Sequence, residues 1–221
     1  MSFFFSKKLL PLPVPLRRGP LPALFEKDGK RLSVEEFEKE TGAPFLSHLD
    51  FQDAAVYTDL VARGIKQGKK EALAREQLWL GSYYKKEIAS GFIPDVEIRW
   101  ISPELGWGVF AARDFKKMEF IAEYSGKVRK RRRSDGKNAY CFEYVSVQGV
   151  KTPYTIDALE QGGVARYINH SSKPNLATSL ATIEFISHVV LFANRSIAKG
   201  EQLGYDYGDD YWAKRKPPLL L

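Results

Sequence analysis

The sequence predicts an α+β protein in which a helical N-terminal region is followed by a β-rich domain. After a Pro-rich arm, the chain up to about residue 92 carries helix start and stop signals and an apolar stripe at helical spacing. From Val96 onward they fall instead in short alternating runs separated by Gly, Asp, Asn and Ser. Because no regular helices separate these runs, a β-rich domain is favoured over a parallel α/β sheet. We therefore divide the 221 residues into a Pro-rich arm and helical region, 1–92, and a second domain with a short C-terminal tail, 93–221.

The N-terminal region is predicted to begin with an arm and to continue with helices. Residues 1–22 contain five prolines and no periodic pattern, which predicts an extended arm. Ser33 and Glu36 form the Ser-x-x-Glu pattern of a capping box, so a first helix is expected to begin after Ser33. A second helix is predicted over 52–63, with Gly64 as its stop.

A third helix is predicted from about residue 70 to residue 90, with Gly91 as its stop. Leu73, Leu80, Tyr84 and Ile88 lie along one side of it, which indicates a packing surface. Since an isolated helix gains little stability in water, this face is expected to dock on the β-rich domain or on a second copy of the chain. A two-fold homodimer is the default for the second arrangement.

Six short runs after residue 95 are predicted as strands. Val96, Ile98 and Trp100 alternate with polar residues, as in a half-buried strand. The other runs lie at 109–111, 120–124, 140–147, 176–185 and 188–193.

Most of the formal net charge of +7 comes from one basic segment, residues 127–137. The segment holds seven basic residues and one acid, and the rest of the chain is almost neutral. Such a run indicates contact with nucleic acid, an acidic protein or a nuclear-import receptor, or else a solvated loop. It contains no aromatic residue, whereas single-stranded nucleic-acid binders interleave aromatic and basic residues.

The composition favours a globular protein in a reducing compartment. Hydrophobic residues make up 44% of the sequence, which separates it from disordered chains. Cys141 is the only cysteine, so neither an internal disulfide nor a Cys-rich zinc cluster is expected. No apolar run has the length of a membrane span, and three phenylalanines precede two lysines near the start, the reverse of a secretory signal. We therefore expect a cytoplasmic protein without membrane contact.

Polar and glycine-containing segments are the candidates for chemistry. The segment 106–108, Gly-Trp-Gly, is by itself typical of a tight turn, and it lacks the third glycine of a dinucleotide-binding loop. Residues 123–126 and 201–208 place tyrosines beside turn glycines. Residues 166–175 concentrate Asn, His, Ser and Pro, which resist helix and strand and must be hydrogen-bonded where they are buried.

The ordered set of these motifs resembles the SET-domain family of protein lysine methyltransferases. The set comprises Gly-x-Gly at 106–108, Tyr-x-Gly at 124–126, Tyr-x-Ile-Asp-Ala at 154–158, Arg-Tyr-Ile-Asn-His-Ser-x-x-Pro-Asn at 166–175 and Glu-x-Leu-x-Tyr-Asp-Tyr at 201–207. The match covers about half of the chain, and the short form looks most like the histone-lysine methyltransferases of some intracellular bacteria. The resemblance implies a SET domain with a knot-like pocket over 93–221.

The resemblance also implies two faces of this pocket. S-adenosylmethionine would bind one face. The residues assigned to the cofactor are Gly106, Trp107, Gly108, Asn169, His170 and Arg166. The lysine would enter from the opposite face through an aromatic channel at Tyr124, Tyr205 and Tyr207, with Tyr207 as the main catalytic residue. The lysine amine must be neutral to attack, and burial beside a sulfonium lowers its pKa from about 10.4.

Some positions depart from the family pattern. Ser172 stands where many members have a zinc-binding cysteine, and the tail has no cysteine, so no metal is expected. Tyr211 and Trp212 are then the aromatic candidates to close the channel. Gly163 replaces a more usual Asn, and Gly204 a more usual Thr or Val.

The function implied by the resemblance is methylation of lysine side chains on a histone or histone-like basic protein. Tyr205 matches a Phe/Tyr position at which a hydroxyl fills the room that further methyl groups need, so mono- or dimethylation is expected. The alternative is a non-enzymatic protein that binds nucleic acid or partners through 127–137. Otherwise this run is expected to form a mobile insert near the substrate groove, or to direct the protein to a host nucleus.

Overall fold

The structure, a computed structural model, describes residues 9–13, 24–70, 74–213 and 215. Most of the predicted arm and Leu73 of the predicted third helix lie outside the described residues. Within the arm, residues 9–13 form neither helix nor strand, and the Leu10 amide donates to the Thr58 hydroxyl at 2.9 Å.

The described residues form short strands and a few helices, which confirms the predicted α+β class. The helices are α1 (Val34–Thr41), α2 (Ala54–Lys70), α3 (Arg75–Tyr83), α4 (Lys85–Ser90) and α5 (Asp209–Trp212). The strands are β1 (Leu24–Lys27), β2 (Lys30–Leu32), β3 (Asp50–Phe51), β4 (Val96–Ser102), β5 (Gly106–Ala111), β6 (Phe120–Glu123), β7 (Lys127–Lys130), β8 (Cys141–Val145), β9 (Lys151–Asp157), β10 (Asn169–His170), β11 (Leu176–Ile183), β12 (Ile186–Ala193) and β13 (Gly204–Tyr205). Within the part of the chain that the structure describes, no helix has both the length and the apolar character needed to span a bilayer.

The strands assemble into small sheets with the orders β2-β1-β4-β5, β11-β12-β6, β3-β7-β9-β8 and β10-β13. All six runs predicted as strands are strands in the structure, as β4, β5, β6, β8, β11 and β12. The strands β1, β2, β3, β7, β9, β10 and β13 were not predicted, and β10 lies in the segment 166–175 that was expected to resist helix and strand.

Strands from before residue 92 complete sheets that lie mainly after it. β1 pairs in parallel with β4, and β3 pairs in parallel with β7. Phe25, Phe37 and Phe45 are buried in the same hydrophobic core as Ile98 and Ile168. The two segments of the chain therefore share one core.

The first helix begins as predicted, whereas the second does not end as predicted. The Glu36 amide donates to the Ser33 hydroxyl at 3.1 Å and the Ser33 amide donates to the Glu36 carboxylate at 2.8 Å, which completes the capping box of α1. Helix α2 continues through Gly64 to Lys70, so the predicted stop at Gly64 is wrong. A Cβ at Gly64 would lie 2.3 Å from the Phe185 carbonyl oxygen in the β11–β12 turn. This glycine therefore permits close packing of α2 on the turn.

The predicted third helix is divided in two at Tyr84. This residue has φ −101° and ψ 12°, and its hydroxyl donates to the Met118 carbonyl at 2.7 Å. Leu80, Tyr84 and Ile88 are buried together, which confirms the predicted packing face. They pack against residues of β6, β11 and β12 of the same chain. Gly91 ends α4 with φ 60°, as predicted.

The basic segment is not a mobile insert over its first half. Residues 127–130 form β7, which lies between β3 and β9 within a sheet. Val128 and Arg129 are buried there, whereas Lys127 and Lys130 are exposed. The prediction of an insert is wrong for these residues because β7 is paired on both sides. A 3₁₀ helix, Arg133–Lys137, follows.

Candidate active site

The residues named from the sequence meet around one cavity of about 1790 Å³. Those that line it are Gly106, Trp107, Tyr124, Arg166, Asn169, His170, Tyr205 and Tyr207. Gly108 is buried directly behind this wall. The structure thus brings together segments that lie up to about a hundred residues apart in the sequence.

A glycine-containing segment at the start of β5 forms one wall. Gly106 has φ 68°, a conformation that L side chains rarely adopt. A Cβ at Gly108 would lie 2.5 Å from Ile101 Cδ1 and 3.3 Å from the Asn169 amide nitrogen. The Asn169 side-chain amide donates to the Trp107 carbonyl at 3.1 Å. The small residue at 108 therefore lets β5 approach Asn169 closely enough for this hydrogen bond.

The Asn-His segment is joined to the Tyr-Asp-Tyr segment by backbone pairing. Asn169 lies opposite Gly204 and His170 lies opposite Tyr205 in the parallel pair β10–β13. The Asn175 side chain donates to the Gln202 carbonyl and accepts from the Gly204 amide, each at 2.9 Å. These bonds satisfy the buried polar groups, as the sequence analysis required.

Close packing explains why glycine occupies two positions where the family usually has a larger residue. A Cβ at Gly204 would lie 2.7 Å from Ser171 Cβ. A Cβ at Gly163 would lie 2.5 Å from the Leu46 carbonyl oxygen, because the N-terminal segment packs there. The Ser125 hydroxyl donates to the same carbonyl at 2.6 Å and accepts from the Gly163 amide at 3.0 Å.

The orientation of His170 is set by Tyr207. The Tyr207 amide donates to His170 Nδ1 at 3.2 Å, so this nitrogen acts as an acceptor. In the neutral ring the proton is then on Nε2, which leaves a donor for a ligand in the cavity. Asp206 is largely exposed, with a carboxylate oxygen 3.6 Å from His170 Nδ1.

Three tyrosines form the other wall: Tyr124 and Tyr205 are buried, and Tyr207 is partly buried. The Tyr207 hydroxyl donates to the Ile168 carbonyl at 2.8 Å, and the Tyr124 hydroxyl donates to the Tyr140 carbonyl at 2.9 Å. The rings of Tyr205 and Tyr207 have centroids 4.7 Å apart. Within the described residues the Tyr205 hydroxyl has no hydrogen-bond partner. Two of the three hydroxyls are therefore fixed by the protein and the third is free for a ligand.

Burial raises the pKa of each of these tyrosines well above its ordinary value. For Tyr124 the nearby Tyr207 adds to this effect, and for Tyr207 the nearby Tyr205 and Tyr211 do so. The three hydroxyls therefore remain protonated at neutral pH. Burial also raises the pKa of the Cys141 thiol, which lines the same cavity, to about 11. These four groups thus contribute neutral hydroxyls and a neutral thiol to the cavity.

The short helix α5 packs on the tyrosine wall. Tyr211 contacts Tyr207 edge to face with centroids 4.7 Å apart, and Trp212 lies parallel to Tyr207 at 6.1 Å. Trp212 also contacts His170, with centroids 5.0 Å apart. Both aromatic residues line the cavity. That they close the lysine channel stays a prediction.

Arg166 is held by protein groups on the tyrosine side of the cavity. Its guanidinium donates to the carbonyls of Ala158 and Leu159 at 2.7 and 3.2 Å. It also lies over the Tyr140 ring, 4.3 Å from the centroid. A direct contact with the cofactor stays a prediction for this residue.

The sequence analysis missed a buried ion cluster beneath the site. Arg129 binds Asp135 and Asp157 at 2.8 and 2.7 Å, and Asn138 donates to Asp157 at 2.9 Å. Asn138 in turn accepts from the Tyr140 amide at 2.9 Å, and Tyr140 holds Tyr124. The only sequence signal was Asp157 within Tyr-x-Ile-Asp-Ala, since Arg129 was hidden in a run of basic residues. In the described part of the chain, no group of three or more His, Cys, Asp or Glu is placed to bind a metal ion.

This two-walled cavity is that of a SET domain. Residues 106–208 match the sequence model of the family described as "SET domain", so this part of the chain is a SET domain, as predicted. The Drosophila pseudoobscura pseudoobscura histone-lysine N-methyltransferase Set8 is 42% identical over 113 residues, 47% of this chain and 16% of that protein. The Xenopus laevis N-lysine methyltransferase KMT5A-B is 35% identical over 162 residues, 67% of this chain and 45% of that protein.

The chain spans less than half the length of these curated relatives. Among solved structures, Arabidopsis thaliana SUVH6 in complex with SAM is 28% identical with a TM-score of 0.46, and the match covers 55% of this chain and 30% of that one.

Proposed function

We propose that the protein is an S-adenosylmethionine-dependent protein-lysine methyltransferase that acts on a histone or histone-like basic protein. The observation that carries this proposal is the single cavity with a glycine and Asn-His wall on one side and a tyrosine wall on the other. The relatives named histone-lysine and N-lysine methyltransferases support it.

The residues of the first wall fit the cofactor. Gly106 leaves the wall open, and Asn169 and His170 present polar groups beside it. The Trp212 indole nitrogen is buried and has no hydrogen-bond partner among the described residues, so an acceptor on a bound group would satisfy it. When bound, S-adenosylmethionine supplies a methyl group on a cationic sulfur. Gly106, Trp107, Gly108, Asn169 and His170 would hold it.

The tyrosine wall suits a neutral lysine amine. A buried amine without a carboxylate beside it loses its proton more readily, because burial disfavours the charged form. The Tyr207 hydroxyl proton is committed to the Ile168 carbonyl, so its oxygen is free to accept an N–H of the amine. Because the tyrosine pKa values are raised, these groups align the amine and do not act as bases.

Beside this wall the protein has an edge strand to which a substrate peptide could bind. β8 lies at the edge of its sheet, and Cys141, Phe142, Glu143 and Val145 from it line the cavity. An extended peptide can add to such an edge through backbone hydrogen bonds. A lysine from that peptide would then point towards the tyrosines.

The direct test is transfer of labelled methyl groups to histones and to histone-like basic proteins. Label on lysine is expected with the wild-type protein, and it should be strongly reduced with Tyr207→Phe. Unlabelled protein substrates, together with undiminished binding of S-adenosylmethionine, would contradict methyl transfer as the function.

A homodimer is a further part of the proposal. The outer face of α3 exposes Leu78, Trp79 and Tyr83, and the Trp79 and Tyr83 rings stack with centroids 4.8 Å apart. Exposed apolar groups of this kind often mark contact surfaces. Sedimentation at low micromolar concentration should give twice the chain mass for the wild type and the chain mass for Trp79→Lys. A monomer mass for the wild type would remove the dimer.

Nucleic-acid binding without catalysis is the second candidate function. It is favoured by exposed cations from the basic segment, namely Lys127, Lys130, Arg131, Arg132, Arg133 and Lys137. Binding through phosphates predicts affinity that falls steeply with salt concentration. Whether residues 127–137 redirect a reporter to the nucleus tests the expected host-nuclear location.

A further inference from the structure

We propose that Arg132 and Arg133 bind an acidic side chain close to the target lysine in the substrate chain. The inference rests on the proposed lysine methylation and specifies the substrate: a lysine with a carboxylate or phosphate group a few residues away. Such a group can occur locally in a protein that is basic as a whole.

Arg132 and Arg133 lie in the cavity in which the lysine is proposed to bind. Arg131, Arg132 and Arg133 line the same cavity as Tyr207. The residues that follow them are tied to the tyrosine wall, because Arg215 stacks on Tyr211 at 4.1 Å and donates to the Asn138 carbonyl at 2.9 Å. The segment that carries the arginines is therefore connected to the tyrosine wall, where the lysine is proposed to bind.

The acids near Arg132 and Arg133 are already bound by other cations. Asp135 is the one acid in the basic segment, and it is turned inward to Arg129. Glu143 of β8 is shared by Arg131 at 2.6 Å and Lys151 at 3.4 Å. Arg132 and Arg133 are exposed and belong to no ion pair in the described ranges. The rim formed by Arg132 and Arg133 thus exposes two guanidinium groups that make no ion pair with the described residues, although the charge of Arg132 also helps to lower the pKa of Asp135.

The class of ligand follows from the chemistry of the two guanidinium groups. Guanidinium groups bind carboxylates and phosphates through paired, charge-assisted hydrogen bonds. A peptide added to the β8 edge advances about 3.3 Å per residue, so residues flanking the lysine pass along this rim. A basic residue at such a position would be repelled, whereas an acidic one would be held.

The arrangement of the other cations does not favour a nucleic-acid backbone. Lys127 and Arg132 both line a second groove of about 300 Å³, which also contains the acids Asp157 and Glu160. Lys130 interacts with Asp59 of α2, on the other side of β7. Lys130 therefore faces away from the other cations, and acids interrupt the groove that Lys127 shares with Arg132. A phosphate backbone is instead tracked by a continuous basic groove or stripe.

The test is direct binding of fluorescent lysine peptides to the full chain in the presence of S-adenosylhomocysteine. The peptides carry glutamate, phosphoserine or glutamine at one flanking position at a time, and anisotropy gives each dissociation constant. For the wild type we expect glutamate at the preferred position to bind about three- to fivefold more tightly than glutamine, as for an exposed ion pair. Comparing glutamate with phosphoserine tells which acidic group is preferred.

Matched variants separate this rim from general basicity. The preference should disappear in the double variant Arg132→Gln/Arg133→Gln and persist in Lys127→Gln/Lys137→Gln, which removes two cations outside the large cavity. Equal affinity for the glutamate and glutamine peptides in the wild type would overturn the proposal. The proposal would also be overturned if the protein bound duplex DNA more tightly than any peptide and both double variants weakened this DNA binding equally. Because the assay measures binding, failure of methyl transfer shows separately, as bound peptide that acquires no label.

Discussion

The Tyr207 hydroxyl is the group whose removal tests the alignment of the lysine. Phenylalanine keeps the ring contacts with Tyr205 and Trp212 and removes the oxygen fixed to the Ile168 carbonyl. We expect kcat to fall about 100-fold for Tyr207→Phe, because a misplaced reacting group costs about this much. The affinity for S-adenosylmethionine should change little. Steady-state kinetics and calorimetric titration measure the two effects.

The matched control is Tyr83→Phe, which removes an exposed hydroxyl outside the cavity. It should leave both quantities unchanged. A Tyr207→Phe variant with wild-type kcat would show that this hydroxyl does not align the amine.

The Tyr205 hydroxyl has a different expected effect, on the number of methyl groups transferred. It is buried beside Tyr207 and has no partner in the described structure, so it can bind the amine or a water next to it. Tyr205→Phe is expected to shift products from mono- and dimethyl-lysine towards trimethyl-lysine, because the loss of the hydroxyl leaves room for a larger head group. Mass spectrometry of a methylated peptide measures this distribution. Predominant trimethylation by the wild type would contradict this assignment.

At the scale of single residues, motif order predicted which side chains meet, and it could not predict what holds them. All the named residues except Gly108 line one cavity. The acceptors at Ile168 and Tyr140 are backbone carbonyls, which leave no residue-type signal in the sequence. Arg129 belonged to a basic run that was expected to form a mobile insert, although the structure buries it.

Helix α2 depends on glycine where the sequence suggested that the helix stops. Gly64→Ala would improve helix propensity and place a Cβ 2.3 Å from the Phe185 carbonyl oxygen. The steric clash should outweigh the propensity gain and lower the free energy of unfolding by about 1–3 kcal/mol. Lys66→Ala, at an exposed position of the same helix, should change it by less than about 0.5 kcal/mol. Chemical denaturation measures both, and a stabilised Gly64→Ala would contradict the close packing.

The segment from β7 to β8 depends on the Arg129 cluster. Arg129→Met leaves Asp135 and Asp157 without their buried partner, so we expect a loss of about 3–5 kcal/mol in the free energy of unfolding near neutral pH. Arg133→Met removes an exposed arginine from the same segment and should have little effect. Since Asn138 connects the cluster to Tyr140, methyl transfer should decline in Arg129→Met even where the protein remains folded.

The same cluster gives the stability a defined pH dependence. The hydrogen bond from Arg129 lowers the pKa of Asp135. Burial opposes such a shift at Asp157, but hydrogen bonds from Arg129, Leu159 and Asn138 lower its pKa as well. Carboxyls with lowered folded-state pKa values stabilise the protein above about pH 4 and lose this contribution as the pH falls further. The difference in the free energy of unfolding between wild type and Arg129→Met should therefore narrow below about pH 4. A difference that does not change with pH would show that it does not come from these carboxyls.

Whether a helix or strand was predicted correctly depends on whether its sequence signal is local or lies in a distant contact. Strong local patterns, such as the Ser33 capping box and the alternation in β4, were predicted correctly. Gly64 was misread because its role is contact with the distant residue Phe185, and β3 is only two residues long. Pairing partners of this kind are set by tertiary packing, which a local pattern does not reveal.

For the whole molecule, the residues before the family match are part of the active-site support. Phe37 of α1 packs on Trp107 with centroids 4.9 Å apart and on Tyr167 at 5.1 Å. Phe25 stacks on Phe37 at 4.1 Å. The sequence analysis found no family resemblance for residues 1–92. These residues join the SET domain through hydrophobic burial, which many different apolar residues can provide.

The last prediction concerns the chain 93–221 on its own. Without β1, β2 and β3 one sheet loses two strands and another loses one. Without Phe25, Phe37 and Phe45 the wall behind Trp107 is exposed to water. Burying one large aromatic side chain contributes about 1.5–3 kcal/mol, so losing three is comparable to the whole stability of a small domain. We expect residues 93–221 alone to show no cooperative thermal transition and no binding of S-adenosylmethionine by calorimetry. Adding residues 24–92 as a separate chain should restore both, because the missing strands and core side chains are then supplied in trans. A cooperatively unfolding, cofactor-binding 93–221 fragment would instead show that the SET domain is independent of the segment that precedes it.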